Sequence, residues 1–352
     1  MDVGAPPVPL PEPRASPAGR PATLADIARE AGTSASTASR AMSGRGYVSP
    51  PARGRLLAAA ERLGYVPNAS ARTLKQRTSR VVGVLVSDLG NQFYAKLASG
   101  IEQVLRGAGY QMMLLGDNSE GAEELAAART LLAMRAPGVI LTPVGPEATA
   151  LLCRQGVAVV EVDRRLAEVP CDAVVTDNER GGREATAHLL EAGHRRIGLL
   201  VVDTDWTSDL GRLEGYRAAH AAAGVAVDER LVVRIGFHAP DAEQRIDALL
   251  DDGAPTAIFA ANNLLAEQAW NVLRRRGVDL PGELSLVAFD DVPWMAMVEP
   301  GITVVAQPTV EIGRRAARLL LRRADDPDSA PVVDCLPTTL LVRGSTAPPR
   351  AG

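Results

Sequence analysis

Short apolar runs alternate with amphipathic segments from Val81 onward, and this alternation constrains the fold more than any other feature of the chain. The runs, such as VVGVLV, VAVVEV and LSLVAF, are typical of strands that are covered on both faces. Strands that alternate with helices form βαβ units, which assemble parallel sheets. The 352 residues contain too many units for a single lobe of about 150 residues. We therefore expect two doubly wound α/β subdomains.

Basic charge is concentrated near the N-terminus, although the whole chain carries a net charge of −4. Eleven Lys and Arg residues stand against three acidic residues between Arg20 and Arg80, whereas acidic residues are in excess from Val81 onward. A basic block on an acidic body is typical of a nucleic-acid-binding module joined to another domain. A solvated basic face without a partner is the alternative that charge alone leaves open.

The basic block has the pattern of a helix-turn-helix. TLADIAREA begins with an N-cap at Thr23 and carries an apolar stripe, and Gly32 ends this helix. Ser34 caps a second helix, ASTASRAM, whose N-terminal turn would meet base edges in the major groove. There, Ala35 suits a thymine methyl and Arg40 suits guanine O6 and N7. A helical hairpin that binds nothing is the alternative.

The segment from Thr23 to Lys75 resembles the N-terminal module of the lactose-repressor/galactose-repressor (LacI/GalR) family of bacterial transcription regulators. The likeness lies in the AG-S-T-SR core, the GYVPN connector and the A-R-x-L hinge, and it continues through RLEGYRAA and VAFDDVP. It implies an N-terminal all-α helix-turn-helix domain and a periplasmic-binding-protein-like α/β core of two doubly wound parallel-sheet subdomains. It also implies a sequence-specific DNA-binding transcriptional regulator.

The expected domains follow from this resemblance and from the pattern of apolar and polar segments along the chain. They are a disordered tail at 1–20, a helix-turn-helix domain at 21–67, a hinge helix or linker at 68–80, an effector-binding and dimerisation core at 81–345, and a tail at 346–352. Within the core we expect an N-terminal subdomain at about 81–178 plus 307–330, and a C-terminal subdomain at about 179–306 plus 331–345.

The resemblance places three side chains at base-reading positions, namely Ala35, Ser36 and Arg40. Further positions that cap helices, contact phosphates or otherwise face DNA are Thr23, Ser34, Thr37, Ser39, Ser43, Tyr47 and Asn68. Ala35 and Ser36 are smaller than the long polar pair of some family members. The small pair shifts base discrimination toward Arg40 and leaves the operator sequence open.

In the family, the hinge becomes a helix only on operator DNA, and here it would span about 68–76. Leu74 matches a leucine that wedges between central base pairs from the minor groove, which bends the duplex. Ala71 is small enough to lie beside this wedge, and Lys75 would reach the groove floor or a phosphate. Packing of Leu74 on the core is the alternative, but this leucine has no apolar neighbours at helical spacing.

Polar residues directly follow several apolar runs, where an open α/β sheet binds its ligands. They are Asp88, Asp163, Asn262, Asn263, Asp290 and Asp291. Each alone is as compatible with capping a strand end as with binding a ligand.

The resemblance selects an effector site among these and other residues. Its members are Phe93, Asp163, Arg212, Phe237, Asn262, Asp290 and Gln307. Carboxylate, amide and guanidinium groups around one ring suit a polyhydroxylated molecule. Most relatives carry Asn-Asp where this chain has Asn262-Asn263, which weakens transfer of any known sugar specificity. Trp206 and Trp294 lie either near the cleft mouth or in ordinary packing.

The sequence contains no constellation for catalysis, for a metal or for a cofactor: the four His residues lack ligand spacing, and GxSxG, P-loop and GxGxxG motifs are missing. We therefore expect no enzyme. The N-terminus lacks a signal-peptide pattern, and the apolar runs are too short to span a membrane. The expected location is the cytoplasm, in association with the nucleoid, with Cys153, Cys171 and Cys335 as reduced thiols.

The leading hypothesis is a homodimeric repressor of carbohydrate or related metabolic genes that binds a near-palindromic operator. A sugar or sugar derivative that closes the cleft would change operator affinity. The C-terminal GSTAPPRAG has no leucine heptads, so a dimer is expected rather than a zipper-linked tetramer. An activator or a corepressor-dependent regulator is the nearest alternative. A two-lobed sugar-binding protein of a transport system and an enzyme on the same scaffold are more remote.

Overall fold

The computed structural model describes residues 20–44, 46–66, 79–237 and 239–350 of the chain. The chain divides into two compact units, Met1–Arg77 and Thr78–Gly352. The described part of the first unit is helical, and the second unit contains two six-stranded sheets with helices between the strands. This architecture confirms the predicted fold class. The expected N-terminal tail, apart from Arg20, and most of the expected hinge lie outside the described residues.

The described part of the first unit contains three helices, α1 (Leu24–Glu30), α2 (Ala35–Ser43) and α3 (Pro50–Arg62). A capping box begins α1, because the Thr23 hydroxyl accepts from the Asp26 amide while the Asp26 carboxylate accepts from the Thr23 amide. The first turn of α3 contains proline, which needs no amide partner there.

Apolar side chains from all three helices form the core of the first unit. Ile27, Ala38, Leu56 and Ala59 are fully buried. The alanines let the helices approach closely, and the larger Ile27 and Leu56 fill the space between them. One face of α2 is thereby fixed against the core, which determines the face that it presents outward.

The second unit contains two sheets of six strands each. In chain order, the strands are β1 (Val81–Val86), β2 (Gln111–Gly116), β3 (Gly138–Leu141), β4 (Ala158–Asp163), β5 (Asp172–Thr176), β6 (Ile197–Val202), β7 (Val232–Ile235), β8 (Ala257–Ala260), β9 (Ser285–Phe289), β10 (Thr303–Ala306), β11 (Val333–Leu336) and β12 (Thr339–Leu341). The first sheet has the order β11-β5-β4-β3-β1-β2, and the second has the order β12-β10-β9-β8-β6-β7. All neighbours are parallel except the antiparallel pair of β10 and β12.

Helices connect the strands. They are α4 (Gln92–Gly107), α5 (Gly121–Ala133), α6 (Pro146–Arg154), α7 (Asn178–Glu191), α8 (Thr207–Ala222), α9 (Ala242–Ala248), α10 (Asn263–Arg276), α11 (Pro293–Met297) and α12 (Thr309–Asp325). We call the first sheet with α4, α5, α6 and α12 the N-lobe, and the second sheet with α7 to α11 the C-lobe. Aliphatic side chains such as Val84, Ile140, Leu200 and Ile258 fill both lobes.

The chain passes between the lobes after β5, after β10 and between β11 and β12. The last crossing differs from the expected assignment of all of residues 331–345 to the C-terminal subdomain. Val333 pairs with Ala173 and Leu336 with Thr176, because the main chain of β11 completes the open edge of β5 in the N-lobe. Only β12 joins the C-lobe sheet.

The described helices include none that is long and apolar enough to cross a bilayer. Over the same ranges, no group of three or more His, Cys, Asp and Glu residues is arranged to hold a metal ion. The three cysteines are free thiols, of which Cys335 is exposed and the other two are half-buried.

Candidate DNA-binding surface and effector site

Helix α2 buries one face and exposes the other. Ala38 and Ala41 pack into the core, whereas Ala35, Ser36 and Arg40 are exposed. Nε of Arg40 donates a long hydrogen bond of 3.4 Å to the carbonyl of Ser36, and within the described residues Arg40 has no ion-pair partner. The structure thus places the three predicted base-reading residues on one solvent-facing surface, with a guanidinium that no described acid neutralises.

Hydroxyl groups surround the N-terminus of α2. Ser34 Oγ accepts from the Thr37 amide at 3.2 Å and lies 2.8 Å from Thr37 Oγ1 and 2.9 Å from Ser36 Oγ. Ser34 is therefore the N-cap of the helix, and its hydroxyl belongs to a small network. A helix N-terminus with exposed hydroxyls is a favourable place for a phosphate oxygen.

The other predicted DNA-facing residues fall into two groups. Thr23, Ser43 and Tyr47 are exposed and Ser39 is half-buried, and the Thr23 hydroxyl donates to Asp26 Oδ2 at 2.6 Å. Tyr47 is 84% exposed, which is unusual for a large ring without a partner surface. The second group, Asn68, Ala71, Leu74 and Lys75, lies outside the described residues.

The N-lobe and the C-lobe enclose a cavity at the carboxyl ends of their strands, which we call the inner chamber. Its volume is about 40 Å³, room for a few water molecules. It is lined by Asn91, Phe93, Tyr94, Asp163, Arg164, Val202, Trp206, Ser208, Asp209, Arg212, Phe237, Asn262, Asn263, Leu264, Asp290 and Gln307. All seven predicted effector-site residues thus line one chamber.

Two of these carboxylates sit at the ends of strands on strained backbone. Asp163 ends β4 with a φ of 69°, and Asp290 follows β9 with a φ of 74°. Such positive φ values are rare for residues other than glycine and occur preferentially at functional sites. Both residues are more than nine-tenths buried, so their carboxylates are directed into a space with little water.

Hydrogen bonds hold Asp290 in place. Gln307 Nε2 donates to Asp290 Oδ1 at 2.7 Å, while Thr176 Oγ1 donates to Gln307 Oε1 at 2.7 Å. The backbone amide of Asn263 donates to Asp290 Oδ2 at 3.4 Å. Gln307 directly follows β10, where the chain returns to the N-lobe, so this relay joins a chamber carboxylate to two of the lobe crossings.

No described residue donates a hydrogen bond to the carboxylate of Asp163. Burial raises its pKa to about 6, although Arg164 and Arg212 act in the opposite direction. The neighbouring Asp209 accepts from the Ser208 hydroxyl at 3.1 Å, and burial raises the pKa of Asp209 as well. Both oxygens of the Asp163 carboxylate therefore remain available to a ligand.

Arg212 is held rigidly on the C-lobe side. Its Nε donates to Asn178 Oδ1 at 2.9 Å, and its Nη1 donates to the Ala261 carbonyl at 2.7 Å. The guanidinium carbon lies 3.8 Å above the centre of the Phe289 ring. Its plane is thus fixed, as a bidentate contact to a ligand requires.

Asn262 caps α10, because its Oδ1 accepts from the Leu265 amide at 2.9 Å. The side chain therefore faces the chamber with its Nδ2 donor still available. Two of the predicted residues, Phe93 and Phe237, contribute aromatic rings to the lining of the chamber. The ring centres of Phe93 and Tyr94 are 5.1 Å apart in an edge-to-face arrangement, and those of Phe237 and Trp206 are 5.6 Å apart.

Several contacts cross the chamber from lobe to lobe. Asn263 Nδ2 donates to Asn91 Oδ1 at 2.9 Å, and Asn91 Nδ2 donates back to Asn263 Oδ1 at 3.4 Å. The guanidinium of Arg164 lies 3.4 Å from the centre of the Trp206 ring. Arg164 is itself fixed by bonds to Ser87 Oγ at 2.7 Å and to the Pro143 carbonyl at 2.6 Å. These contacts explain why the inner chamber is so small.

Seven chamber residues were not singled out by the sequence: Asn91, Tyr94, Arg164, Val202, Ser208, Asp209 and Leu264. Asn91 and Arg164 lie within five residues of a strand end, so a wider search there would have included them. Trp206, left open between cleft mouth and packing, lines the chamber. Trp294 contacts Trp270 at 6.1 Å and packs against the C-lobe core.

Two family descriptions match the chain. Residues 23–68 match the bacterial regulatory proteins of the lacI family, and residues 186–346 match the periplasmic binding protein-like domain. The chain is also 36% identical to the HTH-type transcriptional regulator CelR of Thermobifida fusca over 333 residues, which are 92% of this chain and 98% of CelR. The chain belongs to the LacI family. This LacI-family protein is a DNA-binding transcriptional regulator with an effector-binding core.

Solved structures agree over nearly the whole length of this LacI-family regulator. The lac repressor dimer bound to operator and the anti-inducer ONPF is 25% identical with a TM-score of 0.81, and the match covers 93% of this chain and 100% of that one. The transcriptional regulator CelR–cellobiose complex is 35% identical with a TM-score of 0.69, with the same coverage. The resemblance predicted from sequence is thereby confirmed.

Proposed function

We propose that this LacI-family regulator is a homodimeric repressor of carbohydrate or related metabolic genes, released from or directed to its operator by a sugar or sugar derivative. The observation that carries the proposal is the inner chamber. Strand ends of both lobes bring carboxylates, an amide and a fixed guanidinium together there, beside the aromatic rings of Phe93, Trp206 and Phe237.

The chemistry of the chamber favours a polyhydroxylated ligand. Asp163 and Asp290 accept from hydroxyl groups, Asn262 and Arg212 donate to hydroxyl oxygens, and the rings cover the apolar face of a sugar. Phe93 and Gln307 complete the proposed site. The relative CelR is known in complex with cellobiose, which supports a carbohydrate ligand for this chain.

The proposed operator contacts follow from the exposed face of α2. Ala35, Ser36 and Arg40 read bases in the major groove, while Thr23, Ser34, Thr37, Ser39, Ser43, Tyr47 and Asn68 position the domain through caps and phosphate contacts. Ala71, Leu74 and Lys75 of the hinge, proposed at 68–80 after a DNA-binding domain at 21–67, enter the minor groove. Two copies would read the half-sites of a near-palindrome.

Coupling arises because a sugar ring is larger than the inner chamber, whose volume is about 40 Å³. Its entry must disturb contacts that cross the chamber, such as Arg164–Trp206 and Asn91–Asn263, before the lobes close on it. The ligand then shifts the balance between lobe arrangements by its differential affinity, typically about 1–3 kcal/mol.

Regulation without catalysis is part of this proposal, as is a cytoplasmic location on the nucleoid. An activator or corepressor-dependent regulator, the alternative, would have the same geometry, but the ligand would change operator affinity or transcription in the opposite direction. A transport component would not need the helix-turn-helix that residues 23–68 match.

A carbohydrate screen followed by operator binding tests the proposal. Thermal shift of the intact protein identifies a sugar that stabilises it, and gel shift then measures affinity for a palindromic fragment near its own gene with and without that sugar. We expect a change in affinity of about 5- to 150-fold, which Arg212→Lys weakens or abolishes. A sugar that binds tightly and leaves operator affinity unchanged would overturn the proposed control.

A further inference from the structure

A second, larger cavity lies beside the inner chamber, and we call it the outer chamber. Its volume is about 300 Å³, at the lower end of the roughly 300–1,000 Å³ range of ligand pockets. The N-lobe contributes Asp88, from the loop after β1. The C-lobe contributes Glu267, Gln268 and Asn271 from one face of α10.

The two chambers adjoin each other. Val202, Phe237, Asn262 and Leu264 line both of them and form the boundary between them. A ligand that is held in the inner chamber at this end therefore lies beside the outer chamber.

The outer chamber offers hydrogen-bonding groups that the protein itself does not use. Gln268 Oε1 is buried and has no hydrogen-bond partner among the described residues. A buried amide oxygen that is left unpaired is unfavourable, and a donor from a ligand would remove this penalty. Asp88 uses one oxygen to accept from the Gly90 amide at 2.7 Å, and its second oxygen is available.

The charge of the chamber selects among ligand classes. Its described lining contains the carboxylates of Asp88 and Glu267 and no Lys, Arg or His. A phosphate or carboxylate in this space would face two acids without a cation, which is unfavourable in a confined site. Neutral hydroxyl groups donate to carboxylate and amide oxygens without this penalty.

We propose that the outer chamber is a subsite for a further neutral sugar unit, so that the effector is an oligosaccharide of at least two units rather than a monosaccharide or a sugar phosphate. This inference rests on the proposed function of the inner chamber. Since Asp88 and α10 belong to different lobes, a sugar unit that bonds both also favours the arrangement in which the lobes are close. Longer sugars are therefore both tighter ligands and stronger effectors.

Calorimetry on the intact protein tests this subsite with matched sugars: glucose with cellobiose and maltose, galactose with lactose, xylose with xylobiose, and glucose 6-phosphate. Two or three added hydrogen bonds predict that one disaccharide binds about tenfold or more tightly than its monosaccharide. Gln268→Ala should reduce this ratio several-fold and leave monosaccharide affinity unchanged, and Asp88→Asn serves as a second variant from the other lobe. Arg274→Ala, exposed on the same helix and outside both chambers, should change neither affinity.

Four results would overturn the inference. These are equal affinities within every pair, an affinity gain from the phosphate group instead of the second sugar, equal weakening of both sugars by Gln268→Ala, and binding of no sugar. Operator binding by the same preparation separates the two proposals. A protein that binds operator and responds to a monosaccharide contradicts the outer subsite and leaves the proposed function intact.

Discussion

Asp163 and Asp290 occupy equivalent positions in the two lobes. β4 is the fourth strand from the β2 edge of its sheet, and β9 is the fourth strand from the β7 edge of its sheet. Asp163 ends β4, Asp290 directly follows β9, and both residues have a positive φ. Their surroundings differ, because Gln307 and Asn263 donate to Asp290 whereas no described residue donates to Asp163. The negative charge of Asp290 is also close enough to raise the pKa of Asp163. One carboxylate is thus held by the protein and the other is left for a ligand.

Replacement of Asp163 by Asn should stabilise the protein at pH 8. The folded state keeps a proton on Asp163 up to a pKa of about 6, while the unfolded chain loses it near 3.8. Folded protein thus binds more protons between these values, so its stability falls as pH rises through this window and stays low above it. Asp163→Asn removes this cost, and asparagine tolerates a positive φ.

Thermal unfolding from pH 4 to pH 8 measures the effect. We expect Asp163→Asn to raise the free energy of unfolding by about 1–3 kcal/mol at pH 8 and not to raise it at pH 4. The buried carboxyl groups of Asp117, Glu124 and Glu161 have raised pKa values of about 6, 7 and 7, so the variant retains part of the pH dependence. Asp290→Asn is the matched control. Its free energy of unfolding should be lower by about 1 kcal/mol, because one of the two groups that donate to Asp290 loses its acceptor. Equal responses of the two variants would contradict the difference drawn between them.

The amide pair Asn91–Asn263 should couple the two lobes energetically. Asn91→Ala removes the cap of α4 as well as the lobe contact, whereas Asn263→Ala removes only side-chain bonds to the other lobe. A double-mutant cycle isolates the contact, and we expect a coupling of at least about 0.5 kcal/mol in the free energy of unfolding. The exposed Gln155, replaced by Ala, provides the control cycle with Asn91. Additive effects for Asn91 and Asn263 would show that the bridge contributes nothing.

Trp206 should report ligand binding in the inner chamber. Its ring lies under the Arg164 guanidinium and against Phe237, so a sugar that enters changes its surroundings. We expect the tryptophan fluorescence of the intact protein to change with the sugar identified by thermal shift. Trp206→Phe should abolish this change, and Trp270→Phe, which removes a ring outside the chamber, should retain it. The opposite pattern would place the ligand elsewhere.

Leu74 should bend operator DNA, as the resemblance to the family predicts. The residue lies outside the described part of the chain, so this prediction depends on sequence alone. Leu74→Ala should reduce bending, because unstacking of the central step costs a few kcal/mol that the smaller side chain no longer offsets. Circular-permutation gel shift measures the bend, and sugar affinity of the same variant provides the control. An unchanged bend would exclude the wedge.

Much of the fold could be predicted from sequence because interior strands are continuously apolar. β1, β4 and β9 stand out for this reason. Three of the four edge strands, β7, β11 and β12, do not, since they are three or four residues long and most of their residues are exposed or half-buried. The predicted return of the chain to the C-terminal subdomain at 331 differed from the structure for the same reason, because β11 lacks an apolar run that would mark it.

The residues that line the inner chamber were predictable where they follow strand ends. Asp163, Asn262 and Asp290 were found by that rule, together with the residues that the family resemblance adds. The contacts that close the chamber were not, because they join residues far apart in sequence. Asn91 and Asn263 are separated by 172 positions, and neither position alone indicates that the other is its partner.

Operator binding by the intact protein tests the central claim most directly. Gel shift with palindromic fragments near its own gene, over a range of salt concentrations, should show salt-sensitive preference for one fragment. Arg40→Ala should weaken that binding by about 1–3 kcal/mol and relax preference at one base pair per half-site, since Arg40 is exposed and forms no ion pair with an acid in the described part of the chain. No salt-sensitive preference for any fragment, or an unchanged base preference in Arg40→Ala, would contradict the account.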